Sequence, residues 1–346
     1  MAKLYEAILA IGRATFTNTE NMSRADWLNL RRGGIGGSDA GAIMGLNKYA
    51  TPLSVYLAKK DAAENSGNSA TEWGNILEDP VRQKTREELG CQIETVEGMF
   101  TSTVLPFMNA NLDGLIYFDK ETQIGGGVAR GLCGHEIKTS RTGDGFTDDE
   151  IPDSYYAQVQ HYMAVTGIKT FILTVFIFNQ YAGRHYVIPR NEDFIAWLIN
   201  AEKTFWERNV LADAMPAPTG NENEIDLLKN LPMAETIMLD EESEAILEEK
   251  AQLDAEIKIL QEKSDILKEK ILIKMAANPS GAETVSKTVA ECGAWKISLT
   301  TQTAKRIDTA ALKKAGIYDQ YAKESVSRVL RITRARSGII GDYEQV

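Results

Sequence analysis

Cysteine is scarce in this 346-residue chain. Cys91, Cys133 and Cys292 lie far apart, and no Cys-x-x-Cys occurs. That fits a reducing cytoplasm and argues against a structural zinc or iron–sulfur site. Histidine is as rare: His135, His161 and His185 are scattered, so a metal here should be hard and held by oxygen ligands. No apolar run approaches the ~18–20 residues of a membrane span. The opening MAKLYEAILAIGRATF lacks a convincing cleavage site and reads as the first helix of a soluble protein. An excess of positive charge is missing too. The net charge is −11, unlike a simple nucleic-acid binder, although net charge speaks to solubility more than to where a groove lies.

What is present is a hydrophobic content of 43%, ample for a core, in a chain long enough for two domains. Residues 23–46 read as a helix, a Gly-rich turn and a second helix, with Ser23 capping the first and Ser38 or Asp39 the second. Residues 51–62 read as a helix with Thr51 as N-cap and Pro52 in the first turn. Residues 68–90 form a longer helical pattern closed by Gly90. Strand signals follow at 93–102, 106–119 and 132–140, and residues 120–131 read as a Gly-rich hairpin loop. The 15 residues from Asp119 to Cys133 exceed what a tight hairpin needs, which suggests a disordered tip. Then come a helix over 153–167, strands over 169–178 and 183–190, and a helix over 191–211. The expected fold class is α/β, a mixed central sheet flanked by helices, followed by an extension made of a long helix and a small α+β tail.

The expected domains are 1–213 and 236–346, joined by a linker over 214–235 that opens with AMPAPTGNENE. Residues 240–277 read as one long helix. Leu239, Ile246, Leu253, Leu260 and Leu267 recur every seven residues. A second row holds Ile257 and Ile271 but is broken by Ser243, Lys250 and Ser264, so this is half a coiled-coil seam. Packing within the chain and self-assembly both remain open, and Asn278-Pro279-Ser280-Gly281 ends the helix. From Lys296 to Arg336 ten Lys and Arg face three Asp and Glu. That basic stretch suits phosphate contact or simply offsets the acidic helix before it.

The chemistry starts from GLCGHEIKTS, residues 131–140. In a strand, Glu136 and Lys138 share one face, with Ile137 turned to the other. Asp113, in NLDGLI one hairpin upstream, can converge with them if the two strands pair. Two carboxylates there can hold Mg²⁺, which takes few protein oxygens and keeps its waters. Such an ion polarises a phosphoryl oxygen and acidifies a water, and Lys138 would orient that water or stabilise charge on the phosphate. The spacing alone matches many acidic proteins by chance.

Four stretches together say more. RRGGIGGSDAGAIMGLNKY (31–49), WGNILEDPV (73–81), NLDGLI with HEIKTS, and YYAQVQHYMAVTG (155–167) stand in an order that resembles the YqaJ viral recombinase family. That family includes lambda exonuclease and belongs to the PD-(D/E)XK nuclease superfamily. The likeness covers roughly residues 20–210. It implies that Asp113 and Glu136 are metal ligands together with the backbone carbonyl of Ile137, and that Glu78 is a further ligand. By the same likeness Lys138 positions the nucleophilic water, Gln158 holds nucleophile or phosphate, and Tyr155 lies one turn away. Arg31 and Ser38 match the family's 5′-phosphate-binding positions, an apt pairing of guanidinium and hydroxyl. Pro80, two residues after Glu78, puts the placement of Glu78 in doubt.

The resemblance further implies a phage- or prophage-borne, Mg²⁺-dependent (Mn²⁺ as substitute) 5′-to-3′ exonuclease on double-stranded DNA ends in a host cytoplasm. It would supply 3′ overhangs to a single-strand annealing protein of the RecT or Bet type and work as a homo-oligomer, a ring-shaped trimer in the family's form. The rival readings are an endonuclease of the same superfamily and a catalytically silent DNA-end-binding adaptor.

Overall fold

The computed structural model describes residues 3–60, 69–277, 287–305, 307–324 and 328–332. The chain forms two compact units: the first runs to Leu231 and takes in the described residues 330–332, and the second is Pro232–Val329.

In the first unit, α1 (Leu4–Ile11) leads into β1 (Ala14–Asn18), α2 (Arg24–Arg32), the short β2 (Ile35–Gly36) and α3 (Gly37–Ile43). Then come α4 (Pro52–Lys59) and α5 (Ser69–Leu89), followed by β3 (Ile93–Glu94), β4 (Gly98–Ser102), β5 (Met108–Ala110), β6 (Gly114–Ile124) and β7 (Gly127–Ser140). The unit continues with α6 (Asp153–Thr166), β8 (Thr170–Ile177), β9 (Ala182–Pro189), α7 (Glu192–Phe205) and α8 (Glu222–Lys229).

The local chemistry explains most boundaries. Ser23 Oγ accepts the Asp26 N–H at 3.1 Å to start α2. Thr51 Oγ1 accepts the Ser54 N–H at 3.3 Å to start α4 at Pro52. Gly167, with φ 78°, stops α6 in the left-handed conformation that an L side chain resists. Helix α5 runs through Pro80, as the helical pattern over 68–90 has it, so Glu78 sits inside it. Two expectations need correction. The cap of α3 is Gly36, and Asp39 reaches back to its N–H at 3.0 Å. The hairpin has no long tip: β6 and β7 extend until Gly125 and Gly126 alone turn the chain, with a register shift between Phe118 and Thr122. Inward-facing Ile124 and Ala129 keep those extended strands on the core.

The central sheet has the order β3-β6-β7-β8-β9 and is mixed. β7 and β8 are parallel, joined by the α6 crossover, and the other neighbours are antiparallel. A smaller sheet, β1-β4-β5-β2, lies beside it in the order of the fold. Helix α6 covers one face of the central sheet, where Tyr162 stacks on Phe171 at 5.8 Å. Leu89 of α5 packs with Ile116, Cys133 and Ile172 in a separate buried cluster. Within the stretch expected as a linker, α8 forms, and Leu227, Leu228 and Leu231 pack on the cluster built around α4.

The second unit contains α9 (Glu241–Ala276), the antiparallel hairpin β10 (Lys287–Cys292) and β11 (Trp295–Thr300), then α10 (Thr309–Lys314) and α11 (Tyr318–Tyr321). Asp240 caps α9 by accepting the Ser243 N–H at 3.0 Å. The expected stop at residues 278–281 and the last arginines of the basic stretch, Arg334 and Arg336, lie outside the described residues. Among the described residues no helix is long and apolar enough to cross a membrane.

Candidate active site

Strand β7 places Glu136 and Lys138 on one face, and their side chains meet at 2.7 Å. Glu136 is only 2% exposed. Its Oε1 also accepts from Gln158 Nε2 of α6 at 2.7 Å, while its Oε2 is buried with no partner. The antiparallel register, Gly114 opposite His135, brings Asp113 level with Glu136 at the mouth of β6. Asp113 Oδ2 accepts the Ile137 N–H at 2.8 Å. Gly134 makes room for this packing, because a Cβ there would lie 2.2 Å from the Phe171 ring.

Burial and the nearby Glu136 carboxylate push Asp113 up to about 7, against the pull of Lys138. Burial likewise raises Glu136, again opposed by Lys138. Burial alone would discharge Lys138, yet Glu136 and Asp113 outweigh it and raise its pKa, so it stays an ammonium. Tyr155 offers its ring face to that ammonium at 4.9 Å. The centre therefore holds two carboxylates short of positive charge, with one buried carboxylate oxygen unmatched. A divalent cation fits this deficit: Mg²⁺ sites commonly use one or two carboxylates and leave the rest to water and phosphate.

Glu78 stands within α5. It is bound to Arg82, which also pairs with Asp79 and donates to the Asp113 carbonyl at 3.3 Å. Burial and Asp113 raise its pKa, so it stands near the centre. Among the described residues, however, no three His, Cys, Asp and Glu side chains are grouped to hold a metal. Asp113 and Glu136 are the two carboxylates that could hold a cation at this point, and Glu78 stands beside Arg82.

Arg31 and Ser38 come together across the α2–β2–α3 turn, with Arg31 Nη2 donating to Ser38 Oγ at 3.1 Å. Trp27 lies against the guanidinium at 4.9 Å. None of Gly33, Gly34, Gly36 and Gly37 has a positive φ, and Gly34 and Gly37 serve close packing, since a Cβ on Gly34 would lie 2.3 Å from the Asn109 amide. A Cβ on Gly37 would lie 2.4 Å from the Tyr162 ring, and one on Gly41 2.9 Å from Ser154 Cα. Helix α3 can therefore lie directly on α6, which sets the Arg31–Ser38 pair one residue layer from Tyr162. Tyr162 in turn accepts from Gln158 Nε2 at 2.9 Å. Gln160, by contrast, faces away and holds Pro189 and Asn191.

Sequence reasoning missed Tyr162, Arg82 and a buried pair behind the site. The signal for Tyr162 was its place four residues after Gln158, on the same helix face. Arg82 sits four after Glu78, a spacing that reads as an ordinary surface pair. His161 Nδ1 and Glu202 meet at 2.7 Å, both fully buried, and His161 Nε2 faces the Asn109 carbonyl at 2.9 Å. Both ring nitrogens face acceptors, which favours the doubly protonated ring. Burial opposes that charge, but Glu202 and Asn109 prevail and raise the pKa.

Residues 26–169 match the model of the YqaJ-like viral recombinase domain. The protein YqaJ of Bacillus subtilis (strain 168) is 32% identical over 213 residues, which are 60% of this chain and 63% of that relative, so the match spans less than two thirds of its length. Among solved structures, the alkaline exonuclease LHK-Exo from Laribacter hongkongensis is similar at 18% identity and a TM-score of 0.40, over 55% of this chain and 93% of that one. A phage-related exonuclease from Haemophilus somnus 129PT is similar at 14% identity and a TM-score of 0.37, over 54% of this chain and 100% of that one. The stretch that matches this family model, residues 26–169, contains Asp113, Glu136, Lys138 and Gln158, which build the centre just described.

Proposed function

We propose that the protein is a phage-type, Mg²⁺-dependent exonuclease that digests the 5′ strand of double-stranded DNA from its ends. The observation that carries this reading is the buried meeting of Asp113, Glu136 and Lys138, with one Glu136 oxygen unmatched. Asp113, Glu136 and the Ile137 carbonyl would hold Mg²⁺ (or Mn²⁺), which supplies charge neutralisation for a phosphodiester and acidifies a water. Lys138 remains protonated, so it orients the attacking water and stabilises charge on the phosphate rather than accepting a proton. Gln158 gives both of its amide N–H groups, one to Tyr162 and one to Glu136, and so holds Glu136 in place. Tyr155 keeps the Lys138 ammonium in position.

Arg31 and Ser38 suit a terminal 5′-phosphate, since a guanidinium and a hydroxyl already converge there. That favours an end-directed enzyme over an endonuclease. The 3′ overhangs would pass to a single-strand annealing protein for recombination in the host cytoplasm, and a homo-oligomer, trimeric as a ring, would keep the enzyme on its duplex.

The test is digestion of a linear duplex labelled on one strand, with Mg²⁺, comparing a 5′-phosphate with a 5′-hydroxyl end. Loss of the 5′ strand that stops in Glu136→Ala and weakens in Arg31→Ala on phosphorylated ends is the expected result. Cutting of a closed circular plasmid would transfer the assignment to an endonuclease. Binding without cleavage would leave an end-binding adaptor.

A further inference from the structure

Helix α9 is 36 residues long and, among the described residues, buries none of them. At 1.5 Å per residue it runs for about 54 Å. Ile246, Leu253, Ile257, Leu260 and Leu267 line one stripe of it and are each at least half exposed. An apolar stripe of that length in water calls for a cover. The charges beside the stripe say which one.

With Ile246, Leu253, Leu260 and Leu267 in one core row, the second core row is Ser243, Lys250, Ile257, Ser264 and Ile271. The positions flanking that second row on its N-terminal side are Glu242, Glu249, Glu256, Lys263 and Lys270. This flank is acidic in its first half and basic in its second. In a parallel pair the flank meets the residue five positions on in the other helix. Glu249 would then face Asp254, and Lys263 would face Lys268, like against like. In an antiparallel pair the flank meets itself reversed. Acid then faces base.

We propose that the stripe is covered by the same helix of a second copy of this chain, running antiparallel, with Glu241 of one copy level with Ala276 of the other. In this register Glu249 faces Lys270 of the second copy and Glu256 faces its Lys263, each pair occurring twice by symmetry. Ile257 packs on Leu260 and Ile246 on Ile271. A slip of one heptad either way puts Glu256 against Glu256 or Lys263 against Lys263, so the charges fix the register as well as the direction. The polar Ser243, Lys250 and Ser264 in the seam weaken the pair and make it reversible. Ile259, Ile266 and Ile273 repeat on another flank, confined to the second half of the helix, and lie outside this seam.

The experiment is sedimentation of the full chain over a concentration series at low ionic strength. Two double variants are compared with the parent: Glu249→Lys with Glu256→Lys, and Lys263→Glu with Lys270→Glu. A third, Leu253→Asp with Leu260→Asp, removes the seam. Each charge variant alone should associate about tenfold more weakly or worse, because four attractive pairs become repulsive. An equimolar mixture of the two should regain the parent's association, which also shows that both are folded. The seam variant should lose the association that the helix adds to that of the proposed ring. The proposal is overturned if the seam variant sediments like the parent. It is equally overturned if the first charge variant associates as tightly as the parent or more so, as a parallel pair requires, or if the mixture does no better than its components.

Discussion

Asp113 ties the centre's electrostatics to a solution measurement. Its carboxyl rises from 3.8 to about 7 on folding, so between those values the metal-free folded chain binds more protons than the unfolded one. The stability carried by that proton is full below 3.8 and is lost as the pH climbs to about 7. The divalent cation proposed for this centre would replace the proton, so Mg²⁺ should raise the melting temperature more at pH 8 than at pH 6. Asp113→Asn should melt later than the parent at pH 8 without metal, by about 2–4 kcal/mol of stability, and should lose the Mg²⁺-induced shift. Thermal melts of both chains, with and without Mg²⁺ at the two pH values, check this. A Mg²⁺ shift that Asp113→Asn leaves intact would move the cation elsewhere. Lys138→Ala should lower kcat roughly 10²–10³-fold while end binding persists, since the ammonium acts on developing charge. Single-turnover digestion beside a binding titration separates the two effects.

Helix α3 against α6, and α6 against α7, decide whether the centre keeps its shape. Gly37→Ala sets a methyl against the Tyr162 ring. The ring must move, and Gln158 loses its brace. Activity should fall about tenfold or more at a stability cost of about 1–3 kcal/mol, and Tyr162→Phe should restore none of it. The His161–Glu202 pair clamps α6 to α7 in a fully buried setting. Glu202→Gln leaves a buried imidazolium without its counter-ion and should cost about 3 kcal/mol in urea unfolding at pH 7. The raised His161 makes the sign definite. The parent's extra stability is present below the ordinary histidine pKa of 6.5 and fades as the pH passes the raised value, so the gap between parent and variant should narrow in alkali. These contacts also mark what the sequence could show. The period-two strand pattern was enough to place Glu136 with Lys138 and to nominate Asp113, because strand geometry is local. The glycines of 33–37 look like a turn in sequence, and their packing role appears only once α6 lies over them. His161 and Glu202 are far apart in the chain, and no local pattern pairs them. Pro80 left the place of Glu78 open in the sequence, and α5 continues through it. The run Gly125-Gly126-Gly127 looked like a loose loop, yet paired strands carry it almost to its tip.

The chain as a whole carries −11 charges, and a polyanion approaching DNA gains nothing from its long-range field. Under the proposed function, binding must then rest on Arg31, Ser38 and the cations of the proposed centre, with counterion release limited to those contacts. For a protein that neutralises Z phosphates, the logarithm of the binding constant falls with the logarithm of salt by about 0.9Z. A basic DNA binder shows a steep slope. Here the slope for a 5′-phosphorylated duplex end should be shallower than about −4. Arg31→Ala should reduce it by about one and should weaken phosphorylated ends more than hydroxyl ends. The measurement is fluorescence anisotropy of a labelled duplex with Lys138→Ala protein in Mg²⁺, so that binding is read without digestion. A steep slope unchanged in Arg31→Ala would mean that most phosphate contacts come from outside the Arg31–Ser38 pair. The basic stretch from Lys296 onward would then be the first surface to neutralise, by Lys313→Ala with Lys314→Ala, because it is the one densely basic run in an acidic chain.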